Sequence, residues 1–235
     1  MDGVDIPIVM IGTSPFIGAG QFGLRAQEFR KKFLFQPEKM LKIMEAAYQA
    51  GARGMEVITA GEISKVAMIM KETYNDFIIT GSTFPGPDPM IEELMNLESK
   101  IIFVHGMVSD RKNQKLFELI DDIVSRGVIP GIAVHNPIST LKFSFEHTIV
   151  KTYLIPINAK GIFMGDKQKL ENMINDRKDC YFIGMKTLAA GKIEPQLAYD
   201  YIAKNNICSV SIGMVTPEEA KTSTTIALNA LKSKL

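Results

Sequence analysis

Glu56 stands inside the apolar run GMEVIT (Gly54 to Thr59), His105 near the end of IIFVHG, His135 at the end of VIPGIAVH, and Lys186 near the end of YFIGMKT. A carboxylate in such a run needs a partner or a raised pKa, the usual condition of an acid/base group in an active site. Structural pairing with a buried cation is the competing reading of Glu56. The two histidines suit general acid/base work, a share in a metal site with Glu56, or simple hydrogen bonding to a loop backbone. No third histidine or aspartate stands at a matching place, so no metal ligands are assigned. Lys186 is either a desolvated amine that forms a Schiff base with a carbonyl or a charged clamp for a carboxylate or phosphate. Glu56, His105 and Lys186 are therefore the candidate catalytic residues.

Polar residues at equivalent places are candidate substrate contacts: Ser14, Thr59, Ser82, His135, Asn136 and Asn158, with Glu62, Asp110 and Lys160 close by in sequence. Two stretches, LAAGKI after the Lys186 run and SIGMVTPEEA near the C-terminus, bring backbone amides and a helix start to places that suit an anion. Gly191, Lys192, Gly213, Met214, Thr216 and Glu219 are the candidate phosphate or cofactor contacts. Close helix packing is the competing explanation of the small residues there.

The elements that must position these residues follow from periodicity. Eight short apolar runs read as strands: Ile6 to Gly12, Gly54 to Thr59, Phe77 to Ser82, Ile101 to Gly106, Val128 to His135, Thr152 to Ile157, Tyr181 to Thr187 and Ser209 to Met214. Amphipathic helical patterns separate them. QPEKMLKIMEAAYQAG has Pro37 near its first turn and Gly51 to end it; NQKLFELIDDIVSRG ends on Gly127; Thr216 and Pro217 open the last helix. Runs apolar on both faces and separated by helices imply a parallel sheet covered on both sides. Eight such units predict an α/β protein, a (β/α)8 TIM barrel in a single domain over 1–235. An open doubly wound sheet is the alternative, although GTSPFIGAG lacks the GxGxxG turn that usually accompanies it. Residues 13–36, rich in glycine and phenylalanine, form a long loop after strand one that reads equally as a lid or as a plug.

A formal net charge of +1, with basic residues scattered along helical faces, gives no sign of a nucleic-acid or membrane partner. The opening MDGVDIPIVMIGTSPF has no basic flank and no run of spanning length, so a cytoplasmic protein is expected. Cys180 and Cys208 fit no disulfide framework or metal spacing and read as reduced thiols. The expected partner is a small anionic molecule, and self-association into a homo-oligomer is left open.

Taken in order, these segments resemble the aldo-keto reductase superfamily. EAAYQAGARGMEVITAGEISKVA is similar to the helix and strand that lead to the family's aspartate, with Glu56 in its place, and IIFVHGM to the strand ending in the catalytic histidine, here His105. IDDIVSRGVIPGIAVHNP resembles the stretch ending in a serine-asparagine pair. GMKTLAAGKI and SVSIGMVTPEEAKTS resemble the last two units, which in that family hold NADPH. The resemblance implies a TIM barrel binding NADP(H) through Gly191, Lys192, Gly213, Met214, Thr216 and Glu219. The chain departs from the family at two positions: Ala60 and Gly61 stand where the proton-donating tyrosine is expected, and FIITGSTF lacks the lysine that tunes it. The functions that follow are a divergent NADP(H)-linked oxidoreductase, or a descendant that has lost reductase activity. The alternatives are a Schiff-base lyase or aldolase acting through Lys186, and a metal-dependent hydrolase or isomerase.

Overall fold

Short β-branched runs, each buried along most of its length, form eight parallel strands: β1 (Val9–Gly12), β2 (Gly54–Ile58), β3 (Ile78–Ser82), β4 (Ile101–Val104), β5 (Ile129–Ala133), β6 (Thr152–Pro156), β7 (Tyr181–Met185) and β8 (Ser209–Gly213). The computed structural model describes residues 5–232; residues 1–4 of the acidic opening and 233–235 lie outside them. The strands pair in sequence order, and the ladder from Val9↔Val210 to Gly12↔Gly213 joins β1 to β8. That pairing closes the sheet into a (β/α)8 barrel and excludes the open doubly wound alternative.

The helices are α1 (Arg25–Phe33), α2 (Pro37–Gln49), α3 (Ile63–Thr73), α4 (Ile91–Asn96), α5 (Gly106–Ser109), α6 (Gln114–Ser125), α7 (Pro137–His147), α8 (Lys167–Asn175), α9 (Pro195–Ile202) and α10 (Pro217–Lys232). Proline opens α2, α7, α9 and α10, where its missing N–H leaves no helical bond unmade. Gly51 follows α2 at φ +109°, and a Cβ there would lie 2.6 Å from Leu228 of α10, so the glycine both ends one helix and lets another pack against it. Among the described residues no helix is long and apolar enough to cross a membrane.

Strand alternation sorts the side chains. Met10, Ile101, Phe103, Ala133, Leu154 and Ile183 form one buried cluster that fills the barrel interior. Their neighbours in the strands, among them Ile11, Met55, Val57, Val104 and Val134, join the larger core between sheet and helices.

The strands are shorter than the sequence pattern predicts. Ile6 to Ile8 precede β1, and β4, β5 and β7 stop before His105, His135 and Lys186, whose backbones have left the ladder. His105 is instead the N-cap of α5, and Lys186 adopts a left-handed conformation at φ +56°. The connection 13–36 is also more ordered than a free loop. It holds a 3-10 turn at Gly20–Phe22 and all of α1, because Phe16, Phe22, Phe29 and Phe33 pack ring to ring at centroid distances of 5.1–6.4 Å. Phe29 and Phe33, four residues apart on α1, are the buried stripe of that helix.

Candidate active site at the barrel mouth

Because Met55 and Val57 face the helices, Glu56 between them faces the barrel interior. Its register partners are Gly12 on β1 and Thr80 on β3. Only 4% of Glu56 is exposed. Its sole described side-chain bond comes from Ser82 Oγ, which donates to Oε1 at 2.6 Å. Burial above the apolar plug drives its pKa from 4.5 to about 7, and the Ser82 hydroxyl opposes that rise. Among the described residues Glu56 therefore has no buried cation as a partner, and the structural-pairing reading finds no support there.

Lys186 follows β7. Alternation alone would turn it outward, because Met185 packs on the inner cluster. The left-handed turn at Lys186 reverses this, and it is followed by two further non-glycine residues of positive φ, Ala189 at +48° and Ala190 at +58°. Each costs roughly 1–2 kcal/mol. Asn158, fully buried after β6, braces the turn: Nδ2 donates to Ile162 O at 2.7 Å and Lys186 O at 3.4 Å, and Oδ1 accepts from Ile162 N at 3.1 Å. The Lys186 ammonium lies 4.9 Å from the Phe163 ring centroid. Among the described residues it has no ion-pair partner. Burial lowers its pKa from 10.5 to about 8, and the charge of Asp110 works weakly the other way.

Glu56 and Lys186 line the same cavity, about 270 Å3, at the mouth between β1, β2, β7 and β8. Ser14, Gly12, Ser211, Gly213, Thr187 and Gly191 contribute to its wall. Segment 13–36 covers one side with Gln21, Phe22, Arg25 and Phe29. These covering residues were not among the sequence-derived candidates; the unusual length and aromatic content of 13–36 was their only signal.

His105 and His135 also face inward, since Val104 and Val134 face the helices. Their rings meet edge to face at 5.3 Å. Gly106 makes the approach feasible, because a Cβ there would lie 2.9 Å from the His135 ring. His105 Nδ1 accepts from Met107 N at 3.2 Å, which leaves the proton of the neutral ring on Nε2. Burial lowers both pKa values to about 4; for His105 the His135 ring and Lys186 add to the effect, and for His135 Lys186 does. Both imidazoles are neutral at pH 7, so they act as hydrogen-bonding groups there and not as imidazolium acids. Asp110 anchors this side of the mouth by accepting from His135 N at 3.0 Å, Asn136 N at 2.9 Å and Thr140 Oγ1 at 2.7 Å.

The remaining candidates divide by position. Ser82 acts through Glu56, while Asn158 is fully taken up by the loop it braces. Thr59 is buried, its hydroxyl has no partner among the described residues, and it does not line the cavity. Asn136 starts α7, its backbone N–H held by Asp110. Glu62 pairs with Lys65, and Lys160 Nζ donates to Lys192 O at 2.6 Å, tying two mouth loops together. Met214 is wholly buried in the core, where its side chain cannot reach a ligand. Thr216 Oγ1 accepts from Glu219 N at 3.1 Å, and Glu219 Oε2 accepts from Val215 N at 2.8 Å. The α10 start is thus capped by its own side chains, with Glu218 and Glu219 in its first turn. A phosphate placed there would meet a carboxylate, so this position does not fit the phosphates of NADP(H). Among the described residues no three side chains are grouped to hold a metal ion.

No protein-family model matches the chain, and no curated protein matches it. Solved structures do. The glycerol dehydrogenase AKR11B4 of Gluconobacter oxydans superposes with a TM-score of 0.63 at 10% identity, covering 95% of this chain and 88% of that one. A Gox0644 variant in complex with NADPH gives 0.64 at 9% identity, covering 99% and 91%. The 2-keto-3-deoxy-6-phosphogluconate aldolase of Zymomonas mobilis, with 3-phosphoglycerate, gives 0.58 at 16% identity, covering 81% and 85%. At these identities the likeness is one of fold: the chain is a (β/α)8 TIM barrel, far diverged in sequence from the reductases and the aldolase it superposes on.

Proposed function

We propose that the protein is a Schiff-base enzyme, a lyase or aldolase that acts on a small carbonyl compound through Lys186. The observation that carries this reading is the pairing, in one cavity, of an amine at about 8 and a carboxyl at about 7, each shifted by burial and neither held in an ion pair among the described residues. With its pKa at about 8, roughly a tenth of Lys186 is the free amine at pH 7, against well under a thousandth for an ordinary lysine. The cavity falls just below the roughly 300–1,000 Å3 of drug-sized ligand sites, which suits a small substrate.

The steps balance within the chain's own groups. The Lys186 nitrogen adds to the carbonyl carbon and the oxygen takes up a proton. Protonated Glu56 then supplies the proton that lets the hydroxyl leave as water, giving the iminium. Breaking the adjacent C–C or C–H bond sends its electron pair into the iminium, and the Glu56 carboxylate accepts the released proton. Borohydride reduction in the presence of small aldehydes and ketones, followed by peptide mass mapping, should place a reduced adduct on Lys186. No adduct across aldehydes, ketones and oxo acids would overturn the reading.

The likeness to a barrel solved with NADPH favours a second reading, a nicotinamide-linked oxidoreductase using the loops after β7 and β8. Glu219 at the α10 start and the missing tyrosine and lysine weigh against it. Titration with NADPH followed by fluorescence tests it, and no binding at millimolar cofactor rejects it.

A further inference from the structure

Lys186 stands between two different halves of the mouth. On one side lies the cavity it shares with Glu56. On the other lie His105, His135 and Asp110, close enough that the Lys186 charge is felt by both imidazoles. This second half opens to solvent, with His105 half-buried and His135 exposed, and its hydrogen-bonding capacity toward the protein is incomplete. Met107 N–H fixes the His105 tautomer so that Nε2 carries a hydrogen, and no acceptor for it is found among the described residues. Neither ring nitrogen of His135 has a partner there either. Asp110, the acidic group nearest to the pair in the fold, is engaged by three donors of its own and gives Lys186 no ion pair.

The local demand is therefore for acceptor oxygens carrying negative charge, delivered beside the lysine. Backbone rigidity points the same way. His105 is held at a helix cap, His135 is wedged over Gly106, and Lys186 is fixed in a left-handed turn braced by Asn158. The two imidazoles meet edge to face at 5.3 Å, so they present their ring nitrogens side by side at the mouth. The opposite cavity has a mixed lining, Glu56 and Glu219 with Arg25 and Lys186.

We propose that His105 and His135 form a carboxylate subsite, so that the substrate is a 2-oxo acid whose carboxylate rests on the two rings while its carbonyl meets Lys186. This rests on the Schiff-base reading for the role of the carbonyl, but not for the carboxylate contact itself. The remainder of the substrate, beyond the carbonyl, extends into the Glu56 cavity.

The chain has three histidines, and His147 is exposed on α7, so it serves as an internal control. Ring 1H–15N signals of the wild-type protein at pH 7 are followed while lactate, which has the carboxylate but no carbonyl, is added. Propane-1,2-diol, which has neither, is added in parallel. Lactate should shift the signals of His105 and His135 but not of His147, and the diol should shift none. No response to lactate, or an equal response to the diol, overturns the subsite. Separately, reductive trapping on Lys186 should reach half-completion with pyruvate at a concentration at least about tenfold below that for hydroxyacetone, in line with one charge-assisted hydrogen bond. His135→Leu should bring the two together. Equal trapping of both by the wild type also overturns the subsite. Lactate shifts without any adduct would retain the subsite and reject the imine.

Discussion

Replacing Glu56 with glutamine isolates the consequence of burying that carboxyl. Its pKa is raised in the folded state, from 4.5 to about 7, so the native protein holds a proton that the unfolded chain releases. A group of this kind contributes stability that is fully present below pH 4.5 and lost as pH rises through about 7. At about 1.4 kcal/mol per pH unit the whole loss is about 3 kcal/mol, of which about 2.5 kcal/mol falls between pH 5 and pH 8. Glutamine keeps the shape and can still accept from Ser82, but it has no proton to lose. Fixed packing differences between the two proteins cancel when the change with pH is compared. Urea unfolding of wild type and Glu56→Gln at pH 5 and pH 8 should show the variant gaining about 2.5 kcal/mol on the wild type over that interval. A gap that does not change with pH, or that shrinks, would refute the claim that Glu56 is buried without a cation.

Imine trapping in the wild type should follow a bell-shaped pH profile with its maximum about midway between 7 and 8, because the step needs Lys186 free and Glu56 protonated. The alkaline limb should flatten in Glu56→Gln; a wild-type profile that keeps rising past pH 9 would argue against Glu56 as the acid. Asp110→Ala removes the acceptor of three bonds at the start of α7 and should lower stability by about 2–4 kcal/mol, measured by urea denaturation. Little change would mean that water replaces the carboxylate there.

Much of the fold was legible in the sequence because its signals are local. The strands recur as β-branched runs, and prolines 37 and 217 mark helix starts without reference to anything distant. The inward direction of Glu56 follows from alternation within β2, and that of His105 and His135 continues the alternation of the residues leading out of β4 and β5. Segment 13–36 was recognisable as unusual, but its helix was not, because the four phenylalanines specify α1 only by packing on one another. Met214 and Asn158 show the converse difficulty. Their types and strand-end positions suit a ligand contact, but one is core and the other a loop brace, roles fixed by neighbours far away in sequence.

The sequence by itself determined the barrel, its order of elements and which residue types reach the mouth. The tertiary structure decided what each of them is. Lys186 shares a cavity with Glu56 only because a left-handed turn overrides strand alternation, and that strain persists only because Asn158 and the surrounding mouth hold it. The pKa values of Glu56, Lys186 and the histidine pair are likewise properties of the assembled barrel. Desolvation depends on everything packed around a group, and segments more than a hundred residues apart supply that packing here.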